Sequence, residues 1–135
     1  LATPPRVLID QCTINSFGRD ARNNFFIDNN ANTAEFTVTN SIIANSPMAG
    51  QTVGTSLFRG SNTTAIMSNV NSFGLTDGAA TPVALNWPAA ITQSNMTTVN
   101  LGWTDATNDF TLPAGSPLRT AGTSGGAIGD PRWAL

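Results

Sequence analysis

Apolar and small side chains recur along this chain at a long, fixed interval. Stepping by 29 residues aligns Val7, Phe36, Ala65 and Ser94, then Ile9, Val38, Met67 and Met96, then Cys12, Ser41, Val70 and Val99, and finally Ile14, Ile43, Ser72 and Leu101. Inside each copy the apolar positions alternate with period two as far as the second column, the pattern of a strand with one buried face. They then skip from Ile9 to Cys12, or from Val38 to Ser41, before alternating again. That skip predicts a corner, occupied by Gln11, Asn40, Asn69 and Thr98. Asn best accepts the left-handed backbone of a sharp bend, and stacked side-chain amides can bond from layer to layer. Gln11, Asn40 and Asn69 are therefore the expected corner ladder.

A further strand is expected at "FFID" (25–28) and "LFRG" (57–60). Ile27 follows Ile14 by 13 residues and precedes Val38 by 11, whereas Phe58 follows Ile43 by 15 and precedes Met67 by 9, so the turns vary while the total stays at 29. A unit this short cannot bury its own apolar face and must stack on its neighbours. The expected fold is all-β, a parallel β-helix of about three to four rungs spaced by the ~4.8 Å of hydrogen-bonded strands. Two charge pairs agree with the register: Arg6 falls over Glu35 at an offset of 29, and Asp28 over Arg59 at 31. The alternative is an antiparallel β-sandwich, which short strands with turn signals at this spacing also fit but which does not require the columns.

The rungs are expected over 1–103, with an interruption at 75–95 where prolines and glycines break the pattern and only the strand near "NMTTVNLGW" keeps the register. Residues 104–135 lack a period, are rich in Gly and Pro, and read as a C-terminal cap over an open strand edge, with Phe110, Leu112, Trp133 and Leu135 as its apolar material. The 135 residues carry no charge run or linker-like break, so one domain is expected. The absence of an initiator Met suggests a processed chain or a fragment of a longer one. The first rung would then either pack on upstream rungs or, if bare, use its free edge for self-association.

Composition supports β structure. Only 10% of residues are charged, and the polar surface is built from Asn, Thr and Ser, which favour turns and strands over helices. The net charge is −2 and the six basic residues, all Arg, are scattered, which argues against nucleic acid as a partner. No apolar run reaches the roughly 18 residues of a membrane span, and nothing at the start resembles a signal peptide. The single cysteine, Cys12, excludes an internal disulfide and reads as a small core residue.

The segments "DFTLPAGSP" (109–117) and "GGAIGDPRW" (125–133) carry a resemblance. The first resembles the closing segment of secreted bacterial right-handed parallel β-helix proteins. The second is similar to the ending of uncharacterised pectate-lyase-like domains in surface proteins of glycan-degrading gut bacteria. The resemblance implies a right-handed β-helix, export to the cell surface or periplasm of a Gram-negative bacterium, and an association with polysaccharide capture or breakdown. It covers the tail closely and the rungs only by pattern. In that family the usual arrangement has further rungs upstream, which this sequence lacks, so the resemblance leaves open whatever site those rungs carry.

Lyase chemistry on such a fold needs a general base and a group to neutralise a uronate, often Ca²⁺; hydrolysis needs two or three carboxylates in one cleft. The chain has no Lys, His or Tyr, and its eight acids are dispersed, so neither catalytic residues nor a metal or other cofactor are expected. Asp10 and Asp28 are the acids that could share a face, a salt-bridged or solvated role being the alternative. The densest polar cluster is "GRDARNN", where Arg19, Asp20, Arg22 and Asn23 could hold an acidic sugar because guanidinium forks match carboxylates; the alternative is a loop pinned by its own Asp–Arg pairs. Arg59 and Trp87 complete the glycan-binding candidates, and Trp103 is either a sugar platform or core packing. The expected function is a noncatalytic cell-surface module that contacts polysaccharide, with weak, salt-sensitive affinity for acidic glycans. The alternatives are part of a polysaccharide lyase or hydrolase whose catalytic rungs lie upstream, and a purely structural stalk.

Overall fold

The computed structural model of the chain describes residues 3–16, 27–28, 33–45, 47–48, 58–59, 63–77 and 91–135. Among these there is no α-helix. Nine strands form in chain order: β1 (Arg6–Asp10), β2 (Thr13–Asn15), β3 (Ile27–Asp28), β4 (Ala34–Ala44), β5 (Pro47–Met48), β6 (Phe58–Arg59), β7 (Thr63–Phe73), β8 (Thr76–Asp77) and β9 (Ile91–Ser94). The protein is all-β, and among the described residues every strand pairing is parallel.

The largest sheet runs β1-β4-β7-β9, with β2 also on β4. From β1 to β7 its register is the 29-residue period itself: Val7 stands beside Phe36 and Ile9 beside Val38, and Val38 in turn beside Met67. Val38 and Met67 are both fully buried, so the period-two column marks an interior face. The second sheet pairs β3 with β6, placing Ile27 beside Phe58 and Asp28 beside Arg59 at the expected offset of 31. A third pairs β5 with β8, Pro47 beside Thr76.

Corners divide the long strands. Gln11 (φ 50°), Asn40 (φ 49°) and Asn69 (φ 52°) all adopt left-handed backbone. A second series, Ser16 (φ 56°), Asn45 (φ 51°) and Gly74 (φ 68°), follows at the same 29-residue spacing and was not singled out by the sequence pattern. Gly74 is required on two counts: its φ is positive, and a Cβ there would collide with Asn45 Oδ1.

Two expectations need correction. The fourth repeat is three residues shorter than its sequence alignment suggests: β9 pairs Ala65 with Ile91 and Met67 with Gln93, an offset of 26. The corner consequently falls on Asn95 (φ 51°) and not on Thr98. A β-branched Thr resists that backbone, whereas Asn accepts it and brings an amide to the corner.

The tail also differs from a lid over an open end. It lies against the side of the large sheet, beyond the first corner. Gly129 N–H donates to Asn40 O (2.7 Å), Asp130 N–H to Thr13 Oγ1 (3.0 Å), and Asn15 Nδ2 to Ala106 O (2.7 Å), so the tail reaches strands of the first and second repeats. Ile42, Ala44, Leu101, Leu112, Leu118 and Ile128 form the core between them. This explains why consecutive residues Ser41, Ile42, Ile43 and Ala44 are all buried: alternate side chains enter the interior and the tail interface, so both faces are covered. Leu135, by contrast, is 94% exposed. Arg119 organises the tail, donating to the carbonyls of Leu112, Pro113, Ala134 and Leu135.

Candidate functional site

The first corner is where side chains, backbone strain and tail converge. Each Asn there holds left-handed backbone, which projects its amide along the stacking direction. Asn95 Nδ2 donates to Asn69 Oδ1 (3.1 Å), Asn69 Nδ2 to Asn40 Oδ1 (3.2 Å), and Asn40 Nδ2 to Asp10 Oδ1 (3.0 Å). All three amides point the same way. Polarisation along such a chain strengthens each bond, and the acceptor at its end collects the effect.

That acceptor is Asp10, not Gln11. Gln11 contributes the corner backbone, its N–H donating to Thr39 O at 3.2 Å, but the adjacent carboxylate takes the ladder bond. Thr39 Oγ1 also donates to Asp10 Oδ1, at 2.6 Å. The Thr39 hydroxyl first, then the Asn40 amide, hold the Asp10 carboxyl below its ordinary value, against a smaller opposing effect of burial. Both of those side-chain bonds fall on Oδ1, and the Gln11 backbone N–H adds a smaller lowering effect on the carboxyl.

The tail fixes the middle of the ladder. Thr123 donates to Asn40 Oδ1 from both its backbone N–H (2.9 Å) and its hydroxyl (3.0 Å), and its hydroxyl also accepts from Asn69 Nδ2 (3.2 Å). The Oδ1 acceptor of Asn40, a residue 9% exposed, is thereby saturated. Beside it opens a groove of about 400 Å³ lined by Leu8, Asp10, Gln11, Thr39, Asn40, Thr123 and Ala127. It presents one carboxylate oxygen, amides, hydroxyls and the aliphatic surface of Leu8, which is 69% exposed.

Of the residues expected from sequence to bind glycan, Arg19, Asp20, Arg22, Asn23 and Trp87 lie outside the described residues. Arg59 lies in β6 beside Asp28. Arg6 Nε bonds Glu35 Oε2 at 2.7 Å, in an exposed pair worth little stability. Trp103 packs edge-on against Phe110 (centroids 5.0 Å apart), and Phe110 against Trp133 (5.5 Å), so its ring joins an aromatic cluster.

Asp105 and Asp109 pair across an isolated bridge, and the Asp105 charge slightly opposes the lowering of the Asp109 carboxyl. Asp105 accepts from the Asn108 side chain and the Thr107 N–H, Asp109 from Thr111, and Asp130 from Arg132, and each is held below its ordinary value by those local bonds. No group of three His, Cys, Asp or Glu side chains suited to a metal occurs among the described residues. The sequence reading missed Asp10, Thr39 and Thr123 as members of one site. A short polar side chain flanking the corner was the available signal for Asp10; nothing local marks Thr123, 83 residues from Asn40.

The fold and corner thus define an all-β protein of stacked, tail-clamped parallel repeats. The chain belongs to the family described as Domain of unknown function (DUF5123), whose family model matches residues 7–133. No curated protein and no solved structure matches it.

Proposed function

We propose that the repeats wind as a right-handed parallel β-helix and that the chain is a noncatalytic module that contacts polysaccharide at a bacterial cell surface. The winding is supported by three parallel sheets whose strands recur at offsets of 29, with 31 at β3–β6 and 26 at β7–β9, and by two series of left-handed corners that recur with them. The hand follows from the general preference of parallel crossovers. Export, the Gram-negative surface or periplasm and the pectate-lyase-like kinship rest on the resemblance of 109–117 and 125–133.

The observation that carries the binding reading is the groove at Asp10. A carboxylate held ionised by Thr39 and Asn40, whose side-chain bonds both fall on Oδ1, suits a pair of sugar hydroxyls at its second oxygen. Leu8 offers an apolar surface to the C–H face of a ring. A uronate would meet like charge here, so the groove favours a neutral sugar. Acidic glycan would instead require Arg19, Arg22 and Arg59. The noncatalytic reading rests on the lack of Lys, His and Tyr and on the separate local bonds of the described acids.

Incubation with neutral and uronic-acid polysaccharides tests it, with absorbance for unsaturated products, a reducing-end assay and retention on immobilised glycan. Retention without turnover is expected. Turnover would replace this reading with the lyase or hydrolase alternative, and neither turnover nor retention would leave a structural stalk.

A further inference from the structure

We propose that the outer face of the large sheet holds a second sugar subsite, where a neutral pyranose ring lies on Ile66 between Thr37 and Thr92; the inference rests on the reading of the chain as a module for neutral polysaccharide. Exposure alternates along β7, with Thr64 and Ile66 outward and Ala65 and Met67 buried. Ile66 is 51% exposed, a large apolar side chain on a sheet surface. The register sets a hydroxyl on each side of it. Thr37 of β4 stands beside Ile66 in one direction and Thr92 of β9 in the other, each about 4.8 Å away. Together with Glu35 and Thr64 they line a groove of about 320 Å³.

That row of hydroxyl, apolar and hydroxyl groups selects a ligand class. A pyranose whose hydroxyls are all equatorial has C–H bonds on both faces and polar groups around its rim. Laid on Ile66, it covers apolar surface while its rim hydroxyls exchange hydrogen bonds with Thr37 and Thr92. An apolar floor with a few polar groups that fix orientation is how small-molecule pockets are generally built. Charge selects the same class. Glu35, the charged residue of this lining, is bonded to Arg6 at 2.7 Å, so among the described residues the groove offers a uronate no unpaired cation. The two grooves also share one strand: Thr39 lines the corner groove and Thr37 this one, two residues or about 6.6 Å apart along β4. Adjacent units of one extended glycan therefore reach both, whereas a monosaccharide cannot bridge them.

Titration of the ¹⁵N-labelled chain with glucose and with cellohexaose, a neutral all-equatorial oligomer, tests the subsite. Cellohexaose should shift the amide resonances of Thr37, Thr64, Ile66 and Thr92 together with those of Thr39 and Asn40, and should bind several-fold more tightly than glucose. Ile66→Ser should weaken cellohexaose several-fold and leave the glucose-induced shifts of Thr39 and Asn40 unchanged, while Ile66→Phe, which restores an apolar floor, should keep the affinity. Thr92→Val should weaken cellohexaose in the same way, which keeps the test open if Ile66→Ser fails to fold. A response at Thr39 and Asn40 with none at Ile66, or equal affinity for glucose and cellohexaose, overturns the subsite and leaves the corner reading intact. A response at Ile66 with none at Thr39 and Asn40 removes the corner and keeps the subsite. Shifts of the Ile66 row with protein concentration alone would assign the face to self-association and overturn the proposal, and no response at either groove overturns both readings.

Discussion

Asn40 donates its side-chain amide to the carboxylate of Asp10 at 3.0 Å, thirty residues away in sequence, and so ends a ladder of amides on an anion. The ladder ties four repeats together at one corner, and Thr123 ties the tail to the same atoms. Structure and candidate site are therefore not separable here: the groove is the outer surface of the corner that sets the register.

Replacing Asn40 separates its two roles. Asn40→Gly keeps the left-handed backbone comfortable but leaves Thr123 N–H short of an acceptor and Asp10 short of its amide donor, for an expected loss of about 1–3 kcal/mol. Asn40→Leu should lose roughly 1–2 kcal/mol more, because a Cβ resists φ 49°. Urea unfolding measures both. Equal losses would show that the corner stores no backbone strain.

Acid should loosen the same corner. Because the folded Asp10 carboxyl lies below its ordinary value of 3.8, its contribution is fully present above that value and is lost as pH falls through the lower, folded value. Asp105, Asp109 and Asp130 shift in the same direction and add to the loss. The urea midpoint of the wild type should therefore fall on acidification, and that of Asp10→Asn should fall less. Identical pH profiles would remove Asp10 from the account.

The repeat columns were legible because burial on one face of a strand writes itself as period two, and Val38 and Met67 obey it. The fourth repeat was misplaced by three residues because Met96 and Val99 are apolar and fit the 29-residue columns as well as true neighbours would. Only backbone preference at the corner, Asn95 over Thr98, chooses between the registers. The ladder's end was assigned to Gln11 because the column points there, yet Asp10 beside it is the acceptor. The side-on seat of the tail could not be read: its contacts, Thr123 with Asn40 and Asp130 with Thr13, join distant segments without any period.

That seat makes opposite predictions for two leucines. Leu118, fully buried against Ile42 and Ile128, should cost about 2–5 kcal/mol when changed to Ala. Leu135→Ala should stay within about 0.5 kcal/mol, as exposed positions do. Thermal melts distinguish them, and a large loss at Leu135 would restore the picture of a lid over an open end.

Gly129 tests the closeness of the tail to the sheet. Its φ is 89°, and a Cβ would stand 2.7 Å from Ile42 Cδ1 and 2.8 Å from Thr13 Oγ1. Gly129→Ala should destabilise by roughly 1–2 kcal/mol through the backbone and about 1–3 kcal/mol through overpacking. Limited proteolysis should then cut the tail faster. Unchanged cleavage would mean the tail does not depend on that approach.

The most direct test of the binding account is an amide-correlation titration of the ¹⁵N-labelled chain with neutral and with uronic-acid oligosaccharides. Neutral sugar should shift the resonances of Leu8, Gln11, Thr39, Asn40 and Thr123 together, uronic acid should leave them in place, and Asp10→Asn should weaken the response several-fold. Shifts confined to other residues, or an Asp10→Asn titration indistinguishable from wild type, would contradict a polysaccharide contact at this corner.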